Sequence, residues 1–197
     1  MNELQEKWDR LYSLDEPGNQ APVPLLAENA FLLPSEGHAL DLACGLGANA
    51  IFLAEHGLKV VALDISAVAI EKLQTYAGRR RLAIEAHRTA ISSASLPSSA
   101  FDVIAVGRFL DRGLKDAIMN ALKPGGLLFY QTFTRLKIGD EGPKNPAYLL
   151  DRSELLTLFL PLRPVFYREN AAIGDLGQGL RNEAQFIGQK PEQEIKS

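Results

Sequence analysis

Apolar residues along the chain recur in two periods, and the switches between them mark the elements. Leu4, Trp8, Leu11 and Tyr12 fall at helical spacing within Met1 to Ser13, and Asp15-Glu16-Pro17-Gly18-Asn19 breaks that helix. Pro22 to Leu33 predicts a second helix, with Pro34 to Gly37 as the turn out of it. Ala39 to Ala43 is a short apolar run interrupted by one carboxylate, Asp41, and it gives way to Gly45-Leu46-Gly47-Ala48-Asn49-Ala50. Asn49 to His56 then reads as a helix with Ile51, Leu53 and Ala54 on the buried side, stopped by Gly57. Leu58 to Leu63 is a second apolar run that ends in Asp64. Strand, glycine turn, helix and strand together make a βαβ unit with the dimensions of a nucleotide-binding fold.

The later pattern continues the alternation. Ser66 is placed to cap a helix over Ala67 to Tyr76, whose Ala69, Ile70 and Leu73 share one face, and Arg79-Arg80-Arg81 complements the negative end of that helix. Leu82 to Arg88 predicts a third strand, and Glu85, His87 and Arg88 suit an edge position. Phe101 to Val106 is a short buried strand ended by Gly107-Arg108-Phe109. Asp111 to Leu122 predicts a helix, the break Lys123-Pro124-Gly125-Gly126 follows, and Leu127 to Phe133 is the fifth strand. Thr134 to Tyr148 has neither period, which marks a long functional or disordered connection. Asp151-Arg152-Ser153-Glu154 reads as a capping box for Leu155 to Leu160, and Arg163 to Arg168 and Glu183 to Gln189 read as strands flanking a glycine-rich turn, with a frayed tail after Pro191. The order of elements predicts an α/β fold with a doubly wound, mostly parallel sheet.

Composition narrows the picture without changing it. A chain of 197 residues that is 46% hydrophobic fits one domain with a sizeable core, and no repeat or low-complexity tract argues for a second. The expected subdivision is a helical cap over 1–36, a cofactor-binding core over 37–133, a lid and helix over 134–160 and a hairpin over 161–190. A net charge of −3 offers no basic footprint for a nucleic-acid backbone, so nucleic acid is not expected as a partner. The lone Cys44 excludes an internal disulfide, and no apolar span of about 18 residues or N-terminal signal is present; the expectation is a cytoplasmic protein without a membrane partner. His38, His56 and His87 are scattered without metal-ligand spacing, and Cys44 suits a small buried filler.

Two ligands fit the glycine unit. Gly45 to Ala50 satisfies the dinucleotide spacing as written, and Asp64 lies about where a ribose-binding acid is expected, ~20 residues past the glycines. Asp41 argues against a dinucleotide, because a pyrophosphate would lie against a fixed negative charge at the end of the first strand. S-adenosylmethionine carries an ammonium and a sulfonium and no phosphate, so an acid on each side of the turn suits it. An NAD-linked oxidoreductase is therefore the weaker alternative.

Asp41-Leu42-Ala43-Cys44-Gly45-Leu46-Gly47 resembles motif I of the class I S-adenosylmethionine-dependent methyltransferases, with Ala43 in place of the first glycine of the usual pattern. Trp8-Asp9, Tyr12, Lys123-Pro124-Gly125-Gly126 and Gly142-Pro143-Lys144-Asn145-Pro146 are similar to a small bacterial group labelled tellurite-resistance or thiopurine-methyltransferase-like. The resemblance implies a seven-stranded Rossmann-like sheet closed by an antiparallel hairpin. It also implies a cofactor site drawn from Asp41, Ala43, Gly45, Gly47, Asp64, Ile65, Ala90, Ile91 and Gly107. The family commonly places an acid for the adenine amino group where this chain has Ala90, which leaves adenine to Ile65, Ile91 and backbone groups. Tyr12 or Arg10 would cover the methionine end.

Methyl transfer needs alignment more than a catalytic dyad, so no catalytic residue is assigned. Arg108, Tyr130 and Asn145 are the candidates on the side of a small-molecule methyl acceptor. Phe109, Tyr130, Phe133 and Tyr148 are candidates for an apolar wall, and Arg108, Arg135 and Lys144 for orienting an anion. A non-catalytic S-adenosylmethionine-binding protein stays open as well, because Ala43 and Ala90 both depart from the commonest pattern.

Overall fold

The computed structural model describes residues 3–192. The helix start expected at Met1 and the tail beyond Glu192 lie outside the described residues. Seven strands form one sheet in the order β3-β2-β1-β4-β5-β7-β6: β1 (His38–Leu42), β2 (Lys59–Asp64), β3 (Ile84–Arg88), β4 (Phe101–Gly107), β5 (Leu122–Phe133), β6 (Arg163–Arg168) and β7 (Glu183–Gln189). The first five are mutually parallel, and β7 runs antiparallel between β5 and β6. The expected doubly wound sheet with a closing hairpin is the observed one. Strand order reverses between β1 and β4, and in open α/β sheets that crevice at the carboxyl ends of the strands is where ligands collect.

The period-2 alternation of buried strands fills two cores. On one face, α2 (Pro24–Glu28), α3 (Ala48–Glu55) and α4 (Ala67–Arg80) bring Leu25, Leu53 and Leu73 onto Ala39, Phe129 and Ile187. On the other, α5 (Lys115–Ala121) and α6 (Glu154–Leu158) bring Ile118 and Leu155 onto Leu40, Ile104, Tyr130 and Phe186. An N-terminal helix, α1 (Glu3–Tyr12), lies outside these layers against α4. No described helix is long and apolar enough to cross a membrane.

Several boundaries differ from the sequence reading, each for a local reason. The helix expected over Pro22 to Leu33 divides into α2 and a 3-10 turn, Ala30–Leu32, because the Asn29 side chain bonds the Leu25 carbonyl and closes the first segment. The helix expected from Asp111 begins with a 3-10 turn, Arg112–Leu114, capped by the Asp111 carboxylate on the Gly113 amide. Lys123 to Gly126 does not separate helix from strand: β5 already starts at Leu122, and its pairing with β4 shifts register between Phe101 and Val103. α4 runs on through Arg79 and Arg80 to a left-handed Arg81, and β3 starts at Ile84 on the expected edge.

The capping box at Asp151 forms only by half. Glu154 accepts the Asp151 amide at 2.7 Å, but the Asp151 carboxylate turns to Arg135 at 3.2 Å, and Ser153 enters the helix left-handed. Arg112 dominates this corner. Its guanidinium donates to both Glu154 carboxylate oxygens and to the carbonyls of Ala147 and Leu149, at 2.5–2.9 Å. The Ala147 to Glu154 segment is thereby tied to the loop after β4.

Arg112→Ala should lower the unfolding free energy by about 1.5–3 kcal/mol, the range for hydrogen bonds to charged groups. Urea denaturation checks this; an unchanged midpoint would show that the corner is held by packing alone.

Candidate functional site

The site starts where β1 ends. Ala43, Gly45 and Gly47 all have positive φ, at 57°, 52° and 81°. Glycine takes that conformation freely, whereas Ala43 adopts it against a steric cost of roughly 1–2 kcal/mol. The turn is closed by Gly47 N–H donating to the Cys44 carbonyl at 2.8 Å and tied to β2 by Cys44 N–H on the Leu63 carbonyl at 3.0 Å. Space is as restrictive as conformation. A Cβ on Gly47 would stand 2.5 Å from the Leu73 side chain of α4, and one on Gly45 would stand 2.7 Å from the Tyr12 hydroxyl.

Two carboxylates hold this turn from either side. Asp64, 4% exposed at the end of β2, accepts the Gly45 amide with one oxygen and the Ser66 amide with the other, both at 2.8 Å. Asp41, with no exposed surface, accepts the Ala50 amide at 3.0 Å and the Asn49 side-chain amide at 3.3 Å. It therefore caps the first turn of α3 from beneath, where the helix dipole favours an anion. Burial still dominates: it pushes Asp41 up to about 7, against the pull of these hydrogen bonds and with a further push from the Asp64 charge. Burial raises Asp64 as well, opposed by the amides of Ser66 and Gly45. The buried Cys44 thiol is pushed well above its ordinary range by burial and then by both acids, so it is a neutral filler of the turn.

Above the turn lies α1. Asp9 accepts the Ser66 hydroxyl at 2.6 Å and the Val68 amide at 3.2 Å, so one carboxylate from α1 joins Ser66 at the N-terminus of α4. Lys72 reaches back from α4 to the carbonyls of Tyr12, Ser13 and Asp15 and to Glu16. These bonds set the Tyr12 ring over Gly45, stacked on Trp8 at 5.6 Å between centroids. Arg10, by contrast, is exposed on the outer side.

The remaining candidates divide between two stretches of the same sheet edge. Ile65 follows Asp64, and Ala90 and Ile91 follow β3, whose end is fastened by Thr89 N–H on the Asp64 carbonyl at 2.7 Å. Gly107 ends β4 against α3: a Cβ there would come within 2.9 Å of Asn49 and Val23. Arg108, next to it, donates to Glu183 at 2.9 Å. Tyr130, expected on the acceptor side, lies in the core instead. It is buried, with its hydroxyl donating to the Phe109 carbonyl at 3.0 Å, so it supports the loop after β4 from inside and presents no group to an acceptor. Asn145 is exposed and accepts the Ala147 amide, closing its own 3-10 turn. Arg135 is committed to Asp151, while Lys144 is exposed.

Sequence reasoning missed a buried polar row beside these residues. Gln131 on β5 accepts the Leu25 amide of α2 at 2.9 Å and the Gln185 side-chain amide at 3.0 Å, and donates to Glu183 in a short hydrogen bond. Asn49 accepts the Val23 amide at 3.0 Å. The available signal was Gln131 inside the apolar run of β5, with Glu183 and Gln185 alternating with apolar residues on β7. Polar residues on one face of strands buried on both sides need partners, and here they find one another.

Relatives agree with this architecture. Residues 39–126 match the sequence model of a methyltransferase domain. The ubiquinone biosynthesis O-methyltransferase of Coxiella burnetii is 31% identical over 104 residues, 50% of this chain and 44% of that protein. The chain thus spans less than half the length of that relative. Among solved structures, TehB from Haemophilus influenzae superposes with a TM-score of 0.70 at 18% identity, covering 93% of this chain and 67% of that one. A SAM dependent methyltransferase from Aquifex aeolicus gives a TM-score of 0.69 at 16% identity, covering 92% and 97%. Matching domain, strand order and glycine turn lead to one conclusion: residues 39–126 match a methyltransferase domain, and the sheet that carries them has the Rossmann-like fold of S-adenosylmethionine-dependent methyltransferases.

Proposed function

We propose that the chain transfers a methyl group from S-adenosylmethionine to a small-molecule acceptor by in-line displacement. The observation that carries this reading is the pair of buried carboxylates, Asp41 and Asp64, on either side of a turn whose glycines leave the backbone bare. A pyrophosphate would meet two anions there, whereas an ammonium and a sulfonium meet favourable charge. The Asp64 carboxylate accepts backbone amides on both oxygens and, with about four lone-pair sites, keeps capacity for a further donor, which suits a ribose hydroxyl. Asp41, no part of which reaches the surface, acts on the ammonium as a charge across the turn.

Ile65, Ile91 and the backbone at Ala90 form the apolar end for adenine, and Gly107 lets the chain approach the methionine end closely. Tyr12 and α1 cover the turn and exclude water. The cofactor, when bound, supplies a methyl group already activated on sulfur, so the protein's contribution is alignment and desolvation. A general base is required only for an acceptor of high pKa. Residues 134–148 leave the carboxyl end of β5 on the same sheet edge and serve as a lid over the acceptor, hinged between the Asn182 side chain on Ile138 and the Arg112 clamp on Ala147. The activity assay is formation of S-adenosylhomocysteine across a panel of oxyanions, thiols, phenols and small acids. Cofactor binding without turnover on any of them would favour the non-catalytic reading.

Asp64→Ala should weaken S-adenosylmethionine binding by roughly 1–3 kcal/mol, as for lost hydrogen bonds to a charged acceptor. Calorimetry on the folded variant checks it, and unchanged affinity would contradict the ribose assignment.

The raised pKa of Asp41 gives a pH dependence with a definite sign. An ammonium nearby favours the ionised carboxylate, so binding releases the Asp41 proton and affinity should rise several-fold as pH increases from 6 toward 7.5. Asp41→Asn should flatten that rise, and a variant that keeps the wild-type slope would show that another group titrates.

A further inference from the structure

Arg108 stands one residue past the carboxyl end of β4, beside the switch point, in a backbone conformation that a long side chain adopts at a cost: its φ is 55°. The strain is held by its own amide, which donates to the Gln131 carbonyl at 2.7 Å. Only Nε is used by Glu183, and the Arg108 side chain stays 54% exposed while that of Glu183 is 9% exposed. The second Glu183 oxygen is taken by the Gln131 amide, which is fixed in turn by Leu25 and Gln185. The negative member of the pair is thus turned inward and immobilised. The positive member presents its terminal Nη donors outward, without a further partner among the described residues.

A second cation belongs to the same row. Arg168 lies directly across β7 from Gln185, as Gln131 does on the other side, so the three side chains share one face of the sheet. Its Nε donates to Asn170 at 3.0 Å, and no carboxylate pairs with it among the described residues. Two arginines and one glutamate leave the row net positive. The loops that rise from the same edge expose apolar side chains, Leu136 and Tyr148 after β5 and Ile173 and Leu176 between β6 and β7.

We infer that Arg108, oriented by Glu183 and Gln131, is the specificity-determining residue of the acceptor site and selects an organic anion, a carboxylate on an apolar body. A planar guanidinium fixed along its Nε edge offers its two Nη groups as a preformed fork for a carboxylate. This inference rests on the methyl-transfer reading for its biological meaning, but the anion site is testable without it. A purely structural pair, present only to neutralise Glu183, would give no anion dependence.

The test titrates aryl and alkyl carboxylates, each against its neutral amide, into the protein alone and into the protein saturated with S-adenosylhomocysteine. Wild type should bind the carboxylate of at least one pair about tenfold more tightly than the amide. Arg108→Gln should abolish that preference, and Arg108→Lys should restore part of it. The double variant Arg108→Gln with Glu183→Gln leaves the net charge of the row unchanged if the single variant folds poorly, and it too should lack the preference. With turnover, the effect should appear in KM and leave kcat nearly unchanged. Equal binding of acids and amides by wild type, absence of binding to every acid, or a preference that survives in the glutamine variants would overturn the inference. Failure of S-adenosylhomocysteine to bind would instead count against the methyl-transfer reading, while the titrations of the protein alone still decide the anion site.

Discussion

Asp64 receives the Gly45 amide on one oxygen and the Ser66 amide on the other, and through those two bonds a single carboxylate fixes the glycine turn, the start of α4 and the end of β2 relative to one another. Asp41 does the corresponding work from β1, holding the Ala50 amide and the Asn49 side chain in the first turn of α3. Burial raises the pKa of both acids, with the Asp64 charge adding to the push on Asp41 and the Asp9 charge to that on Asp64, and the arrangement lasts because backbone amides, the Asn49 side chain and helix dipoles compensate. α1 depends on the same centre: Asp9 bonds Ser66, and Tyr12 closes over the bare backbone of Gly45. A concentration of negative potential around unshielded backbone is what a cationic cofactor would use.

The sheet and most of its helices were legible in the sequence because they rest on local period and on strong punctuation. Gly57 does stop α3, and β6 and β7 lie at Arg163–Arg168 and Glu183–Gln189 as expected. What escaped were features decided across the chain. Asn29 ends α2 with a side-chain bond that has no periodic signature, and β5 begins at Leu122 because its partner strand accepts a register shift. Asp151 fails as a cap because Arg135 competes for it, and Tyr130 is lost to the core because its hydroxyl finds a carbonyl there.

The residues proposed for the cofactor side stand out in the sequence for another reason. A glycine turn between two acids is a compact arrangement that spacing alone specifies, and Ala43 fits it at a cost in backbone strain. The polar row proposed for the acceptor side is assembled from residues as far apart as Leu25, Arg108, Gln131 and Glu183, so no window of sequence contains it. Its elements nevertheless meet the cofactor side physically. Asn49 bonds both Asp41 and Val23, and Leu25, two residues on, bonds Gln131; the first turn of α2 is thus pinned between the glycine unit and the polar row. This polar chain gives the two halves of the proposed site one frame, and the proposed in-line transfer would depend on such alignment more than on a base.

The central claim, that two buried carboxylates make this glycine turn a site for a cationic rather than a phosphate-bearing cofactor, is tested most directly by calorimetric titration of S-adenosylmethionine and of NAD into the same protein. The account predicts saturable binding of S-adenosylmethionine that NAD does not displace; tighter binding of NAD would contradict it.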